Sequence, residues 1–356
     1  MNPIKLPVTP NSPVLCNAKQ MEGEFQLKKF GNFGFIQNVK YEPALIKYDK
    51  NYQNDQGSSA RFRRHLLATY KLIKSRYKKG AKLVEVGCGK GTFLDLVKND
   101  DYFKYEGFDN AYEGNDQFIH QRYLKKEDSI NADVLVLRHT LEHIQYPYKF
   151  LEMLKTIFDR NTQIFIEVPQ FDWIDKGKVI FDLSYEHVNY FNTKSLCSLF
   201  SNIIDFGNFF GGQYQYCLAD LNSLSKEHWN DFDSLNKWQD FNIDNYYQKF
   251  FSSIDFLNSK KRIWVWGGAS KGVLFLNYLS KLSPLIFEKV LGVVDLNTKK
   301  QKLYTPSTNI EIISEIEMFK KFQLGDVVLV MNPNYFDEIK MCLDKNLSNK
   351  FEIYNI

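Results

Sequence analysis

From Lys82 to Lys98 the chain runs through a short β-rich stretch, three glycines at alternate positions (Gly87, Gly89, Gly91), and a segment from Thr92 onward with helical spacing of apolar residues. A strand, a glycine turn and a helix in that order predict the opening of a nucleotide-binding α/β unit. Tyr105 to Asp109 reads as the next strand. Asp133 to Arg138 is an apolar run of the kind found in a central parallel strand covered on both faces. Tyr148 to Phe158 predicts a helix, Gln163 to Val168 a buried strand stopped by Pro169, and Phe209 to Leu221 a final strand pair. Upstream, Leu66, Leu67, Tyr70, Leu72 and Ile73 predict a helix within Arg61 to Lys78.

The same alternation then starts again. Arg262 to Trp266 predicts a strand, Gly267 to Gly272 a glycine turn, Val273 to Leu282 a helix, Val290 to Asp295 a strand ending in an acid, and Asp326 to Met331 another buried strand. The predicted fold class is α/β, with two Rossmann-like domains in tandem behind a small β-containing N-terminal region. The expected divisions are 1–60, 61–222, a connecting helix over 223–260, and 261–356. Pro3, Pro7, Pro10 and Pro13 break the first stretch, Phe30 to Ile36 suggests a small hairpin, and Tyr48 to Ser59 a polar loop. Gln170 to Asn192 interrupts the alternation with dense aromatic and ionisable residues, and is expected to cap a substrate site.

The glycine spacing selects among ligands. A dinucleotide fingerprint has its third glycine where this chain has Thr92; here the pattern is Glu-x-Gly-x-Gly-x-Gly. A carboxylate at Glu85 would repel a pyrophosphate and suits a cationic ligand, and S-adenosylmethionine carries both an ammonium and a sulfonium. Gly87, Gly89 and Gly91 would let the backbone approach that donor closely, and Asp109 would accept hydrogen bonds from its ribose hydroxyls. Glycine turns followed by strand-end acids also occur in α/β folds generally.

Bulk properties narrow the classes further. A net charge of +4, evenly spread, gives no nucleic-acid footprint. Five scattered cysteines with no Cys-x-x-Cys pair predict neither a disulfide framework nor a zinc site. Met1 to Lys5 lead into no apolar signal core, and no stretch has the length of a membrane span, so a cytoplasmic protein is expected, free of membrane.

Several stretches together resemble the bacterial sugar C-methyltransferases that act on nucleotide-linked 4-keto deoxysugars. They are Val84 to Phe93, Arg138 to Ile144, Ile166 to Pro169, Tyr185 to Phe191, the Gly267 to Gly272 turn, and Asp295 to Asn297 with Lys300 and Gln301. The resemblance implies a class I methyltransferase domain using S-adenosylmethionine, followed by a C-methyltransferase C-terminal domain. Family members usually begin with a zinc domain holding two cysteine pairs. Here Cys16 is followed by Asn17, Ala18 and Lys19, and the second pair's place reads Phe30 to Gly34, so no zinc is expected and aromatic packing would stand in for it.

Methylation of a carbon beside a ketone needs a base for the α-proton and a group to stabilise the enolate. The resemblance places that work on Tyr185, Glu186 and His187. His187 is the expected base because its ordinary pKa lies near working pH, Glu186 would orient the site, and Tyr185 would bond the sugar or enolate oxygen. The resemblance also sets Arg138 with the donor and Tyr190 with the substrate. His139, close to the expected methyl position, reads as an acceptor-pocket residue, and Glu142 as a substrate contact or a loop anchor. The His-x-x-Glu-His pattern of 139–143 sits at a strand-to-loop transition without a third ligand, so metal is not expected there. Lys271 stands where a phosphate could be met by a helix start and a cation together, and the resemblance implies that Gly268 and Lys271 hold the nucleotide diphosphate; the alternative is a duplicated turn that only packs against the first domain. The partner implied is a small nucleotide sugar, with the chain a monomer or homodimer. The alternatives are O- or N-methylation of a saccharide or small metabolite, and a non-catalytic protein that binds donor or nucleotide sugar.

Overall fold

Prolines leave room for only short strands at the start of the chain. The computed structural model describes residues 4–18, 20–49, 51–55, 57–347 and 351–356; Met1 to Pro3 and Lys19 lie outside them. A hairpin of β1 (Ile4–Pro7) and β2 (Glu22–Phe25) is followed by β3 (Leu27–Phe30) and β4 (Phe35–Asn38). The hairpin expected over Phe30 to Ile36 forms, with Phe30 opposite Phe35.

Then comes α1 (Ala60–Lys74), started by Ser59, whose hydroxyl accepts the Phe62 N–H. The donor-side sheet follows: β5 (Lys82–Val86), α2 (Thr92–Asp100), β6 (Lys104–Phe108), β7 (Ile119–His120), β8 (Val134–Arg138), α3 (Pro147–Ile157), β9 (Gln163–Pro169), α4 (Phe171–Gly177), β10 (Asn189–Tyr190), α5 (Thr193–Cys197), β11 (Ile203–Phe209) and β12 (Tyr214–Asp220). Seven strands lie in the order β11-β12-β9-β8-β5-β6-β7. The five from β9 to β7 are parallel, and β12 runs antiparallel between β9 and β11. The last pair starts earlier than expected: Phe209 closes β11 instead of opening a strand, because Gly211 and Gly212, both at positive φ, make the turn there.

After β13 (Trp238–Asp240) and α6 (Asp244–Ile254), the second sheet is built from β14 (Ile263–Trp266), α7 (Ser270–Leu282), β15 (Val290–Val294), β16 (Ile312–Ile313), β17 (Val327–Val330) and β18 (Glu352–Asn355). Its five strands are all parallel, in the order β16-β15-β14-β17-β18. In both sheets the order reverses beside the first strand, β5 or β14, the switch point where open α/β sheets bind ligands.

The stretch 223–260 is not one connecting helix. Its first half folds back to the N-terminal hairpin, where Trp238 of β13 pairs with Phe30. Phe30, Phe33 and Phe35 meet Trp229, Phe232 and Trp238 there, with ring centroids 4.9 Å apart for Phe35 and Trp229 and 5.0 Å for Phe30 and Trp238. Apolar rings spaced through a polar segment have to find a partner surface, and edge-on contacts of this kind add about 0.5–1.5 kcal/mol per pair beyond burial. Phe30 and Phe33, in the stretch Phe30 to Gly34, are part of this ring cluster.

The 170–192 segment is more than a cap. Ile180, Phe181, Leu183 and Tyr185 join Leu6 and Phe25 from the first strands and Phe275 from α7 in one core. This core ties the N-terminal hairpins and the 170–192 segment to the second sheet. No helix among the described residues is long and apolar enough to cross a membrane.

Candidate active site

The carboxyl ends of β5 and β14 face one cavity of about 410 Å³. At the β5 end, Gly87 has φ +78°, and a Cβ there would collide with the Thr140 hydroxyl, so only glycine fits. Asp109 follows β6 and fastens the turn: its carboxylate accepts the Gly89 N–H at 2.7 Å and the Ala111 N–H at 2.7 Å. Each oxygen keeps lone-pair capacity for a ribose hydroxyl, although Asp109 is not part of the cavity lining. Gly87, Gly89 and Glu85 do line it, whereas Gly91 serves as the left-handed cap of α2. Glu85 is 2% exposed, and burial raises its pKa to about 7 despite Arg138 nearby.

Behind this cradle sits a carboxylate that sequence reasoning missed. Glu167 of β9 is fully buried and gathers Arg138 Nη2 at 3.0 Å, Thr69 Oγ1 at 3.0 Å, His65 Nε2 at 3.2 Å and His139 Nε2 at 3.2 Å. Burial alone would raise its pKa; Arg138, His65 and His139 hold it well below the usual carboxylate range. Arg138 stands between Glu167 and Glu85, 3.8 Å from the latter, with its guanidinium over the Phe93 ring. It reaches the cavity as a cation already anchored on one side. The available signal was a lone acid inside an apolar strand.

His139 leaves β8 at φ +50°, which turns its ring between Glu167 and Glu142, with Nδ1 3.4 Å from Glu142. Burial opposes its charge, but the two carboxylates win and raise its pKa to about 9, so it is an imidazolium at neutral pH. Glu142, in a 3₁₀ turn over Leu141–His143, is 1% exposed, and neither of its oxygens accepts a hydrogen bond. Burial would raise its pKa too, but His139 with the other histidines brings it down. His143 reaches the Glu186 carbonyl through Nδ1 at 2.9 Å.

His187 sits beside His143, with ring centroids 4.9 Å apart. Burial, reinforced by His143, depresses its pKa to about 3. The expectation of a base poised near working pH is therefore corrected: His187 offers a neutral lone pair of low basicity. The expectation of no metal concerned His139, Glu142 and His143; among the described residues, a Glu142 oxygen and one nitrogen each from His143 and His187 lie within 4.8 Å of one another.

Two expected substrate contacts are structural. Tyr185 is fully buried, its hydroxyl accepts the Glu42 N–H at 2.8 Å, and its ring lies on Gly23. Tyr190 is 3% exposed, and its hydroxyl both accepts from and donates to the Ser184 backbone. Both hydroxyls are spent inside the core, away from the cavity. Glu186 is also buried, and burial raises its pKa. Its carboxylate is met by Asn11 at 3.4 Å and Ser270 at 3.3 Å, both lining the cavity, which joins three parts of the chain behind the histidines.

At the β14 end, a Cβ on Gly272 would run into the Gly267 carbonyl, so α7 can approach its strand this closely only with glycine there. The Gly268 N–H is taken by Asp295 Oδ2 at 2.9 Å, so Gly268 is not a free anion donor. Lys271 lines the cavity but is ion-paired with Asp182 and lies 4.8 Å from the Trp173 ring centroid. The free cation expected for a diphosphate is thus partly neutralised, and burial lowers its pKa.

A family model for a methyltransferase domain matches residues 59–203, and one for a C-methyltransferase C-terminal domain matches residues 219–351. The chain is an S-adenosylmethionine-dependent methyltransferase. No curated protein matches the sequence. Solved structures similar to this methyltransferase include the PH0226 protein of Pyrococcus horikoshii, at 13% identity over 49% of this chain and 94% of that one, with a TM-score of 0.36. A Haloferax volcanii methyltransferase complexed with the Trm112 activator matches at 10% identity over 47% of this chain and 98% of the other (TM-score 0.36). The CurJ carbon methyltransferase matches at 14% identity over 47% of this chain and 56% of its own length (TM-score 0.35). Likenesses this distant carry no argument about the chemistry of the cavity.

Proposed function

We propose that this methyltransferase transfers the methyl group to a carbon beside a ketone, in a nucleotide-linked keto sugar or related glycan precursor. The observation that supports this reading is one shared cavity: the donor turn at Gly87 and Gly89, the Glu142, His143 and His187 face, and Gly267 with Ala269 to Lys271 of the second turn all line it. A donor held at Glu85, Arg138 and the glycine turn, with Asp109 at its ribose, would direct its methyl toward that face. The second turn would take the nucleotide end, with Lys271 moving from Asp182 to phosphate.

In this reading the reaction is an in-line displacement on the sulfonium. The α-proton leaves on the histidine face, the enolate carbon attacks the methyl, and the carbon–sulfur bonding pair stays with S-adenosylhomocysteine. His139, charged and held by two carboxylates, would favour negative charge developing on the acceptor oxygen.

The test has two parts. Calorimetry with S-adenosylhomocysteine, then with thymidine, uridine, guanosine and cytidine diphosphates, should give donor-product binding and selective binding of one diphosphate. A keto sugar carrying that nucleotide should then take up solvent deuterium at the α-carbon without donor. Donor-product binding with no diphosphate binding and no exchange would move the reading to O- or N-methylation.

A further inference from the structure

Several side chains that line the cavity keep a buried polar atom without a hydrogen-bond partner, among them Glu85, Arg138 and His139, but Glu142 lacks one on both oxygens. Glu142 is 1% exposed, yet neither of its oxygens accepts a hydrogen bond. Burying a carboxylate is costly unless something compensates it, and the one cation against it, His139 at 3.4 Å, is shared with Glu167. Beside Glu142 stand two imidazoles, and the three residues present one oxygen and two nitrogens within 4.8 Å of one another. All three line the cavity, so an ion can reach them from solvent.

The orientation of His143 also fits a ligand. Its Nδ1 faces both the Glu186 carbonyl at 2.9 Å and the Tyr48 hydroxyl at 3.0 Å, and a carbonyl can only accept, so Nδ1 carries a proton there. The lone pair is then on Nε2. Metal-binding histidines almost always donate their other N–H to a carbonyl or carboxylate in this way. The other histidine–carboxylate group, His65, His139 and Glu167, lacks this character, because Glu167 is already occupied by Arg138 and Thr69.

We propose that Glu142, His143 and His187 bind a divalent first-row transition-metal ion whose remaining positions face the acceptor. Two imidazoles and one carboxylate suit zinc, cobalt or iron(II) and leave open positions for water and substrate. The inference rests on the carbon-methylation reading and specifies its proton transfer. A water on the ion loses a proton to bulk solvent and becomes hydroxide, the acceptor's keto oxygen binds the ion, and the hydroxide takes the α-proton to become water again. The carbon–hydrogen bonding pair becomes the enolate double bond, held by the ion until the carbon attacks the methyl. No oxidant or reductant is needed.

The full-length protein, stripped with a chelator and dialysed, would be titrated with cobalt(II) followed by visible absorption, and with zinc(II) by calorimetry. The expected result is one ion per chain, with cobalt bands of a low-coordinate nitrogen and oxygen site. Glu142→Gln and His187→Gln should each weaken binding by about a hundredfold or more, since loss of an outer-shell partner alone costs 10–100-fold. His120→Gln, whose ring pairs with Glu106 at 2.9 Å on the edge strand β7, outside the cavity, should bind as the parent does. S-adenosylhomocysteine calorimetry on each variant shows that it is folded. No stoichiometric binding by the parent, or binding unchanged in both ligand variants, overturns the proposal. If the stripped protein still exchanges the α-proton of its keto sugar at the original rate, the metal proposal fails while carbon methylation stands. If the loaded protein binds metal but exchanges no α-proton, it is the carbon-methylation reading that fails.

Discussion

Asp109 and Asp295 do the same work in two successive folds. Asp109 follows β6 and accepts the N–H of Gly89 and of Ala111, two residues on; Asp295 follows β15 and accepts the N–H of Gly268 and of Asn297, again two residues on. In each fold the acid at the end of the second strand holds the glycine turn after the first. The second turn thus repeats the hydrogen bonding of the first, with Lys271 beside it paired with Asp182.

Removing each acid should separate the two ends of the cavity. Asp109→Ala is expected to weaken S-adenosylhomocysteine binding by at least about tenfold, since a hydrogen bond to a charged group contributes about 1.5–3 kcal/mol. Asp295→Ala should leave that binding unchanged and weaken the bound nucleoside diphosphate. Calorimetry on both variants decides; loss of donor-product binding in Asp295→Ala would break the assignment.

Donor binding should depend on pH through Glu85. Its pKa is raised to about 7 in the folded chain, and the donor's ammonium is best met by the ionised form. Below that value a proton must leave before the ammonium binds, so affinity should fall as pH drops, by up to about tenfold per unit. For folding the sign is opposite. A raised acid pKa favours the folded chain at low pH, and that contribution fades as pH rises from the ordinary carboxylate range through about 7. Titrations of S-adenosylhomocysteine from pH 5.5 to 8.5 on the parent and on Glu85→Gln test this; a flat profile in the parent would rule it out.

Glu167→Gln should be the most destabilising conservative change at the site. It leaves Arg138 and the imidazolium of His139 buried without their shared anion, which costs about 3–5 kcal/mol. A urea midpoint shift corresponding to less than about 1 kcal/mol would mean that Glu85 and Glu142 compensate those cations unaided.

Asp182→Asn should act in the other direction. It frees Lys271 and removes a carboxylate that would repel phosphate, so the diphosphate is expected to bind about tenfold tighter, a difference of about 1.4 kcal/mol. Lys271→Gln should bind it more weakly than the parent. Equal affinities in all three proteins would remove Lys271 from the nucleotide end.

The strands and both glycine turns were legible in the sequence because buried parallel strands are near-continuous apolar runs and their exits are marked by glycine and acid. The site was legible only in part. Glu85, Arg138, His139, Glu142, His187 and Lys271 do line the cavity, but Tyr185 and Tyr190 lie in the core. What buries Tyr185 is a hydrogen bond to Glu42 and a contact with Gly23, both far away in sequence, so local pattern carries no trace of them. The pKa of His187 likewise depends on the burial that the fold imposes and on His143, which arrives from another strand end.

The ring cluster at the N-terminal hairpin has a consequence for how the chain is made. Phe30, Phe33 and Phe35 leave the ribosome early, yet Trp229, Phe232 and Trp238, which cover them, follow only after the whole donor-side sheet. Until then three aromatic side chains stand in water, a surface that chaperones and neighbouring nascent chains bind, and closing so long a loop slows folding. A hairpin made before the donor-side sheet is therefore among the last parts of the protein to be finished.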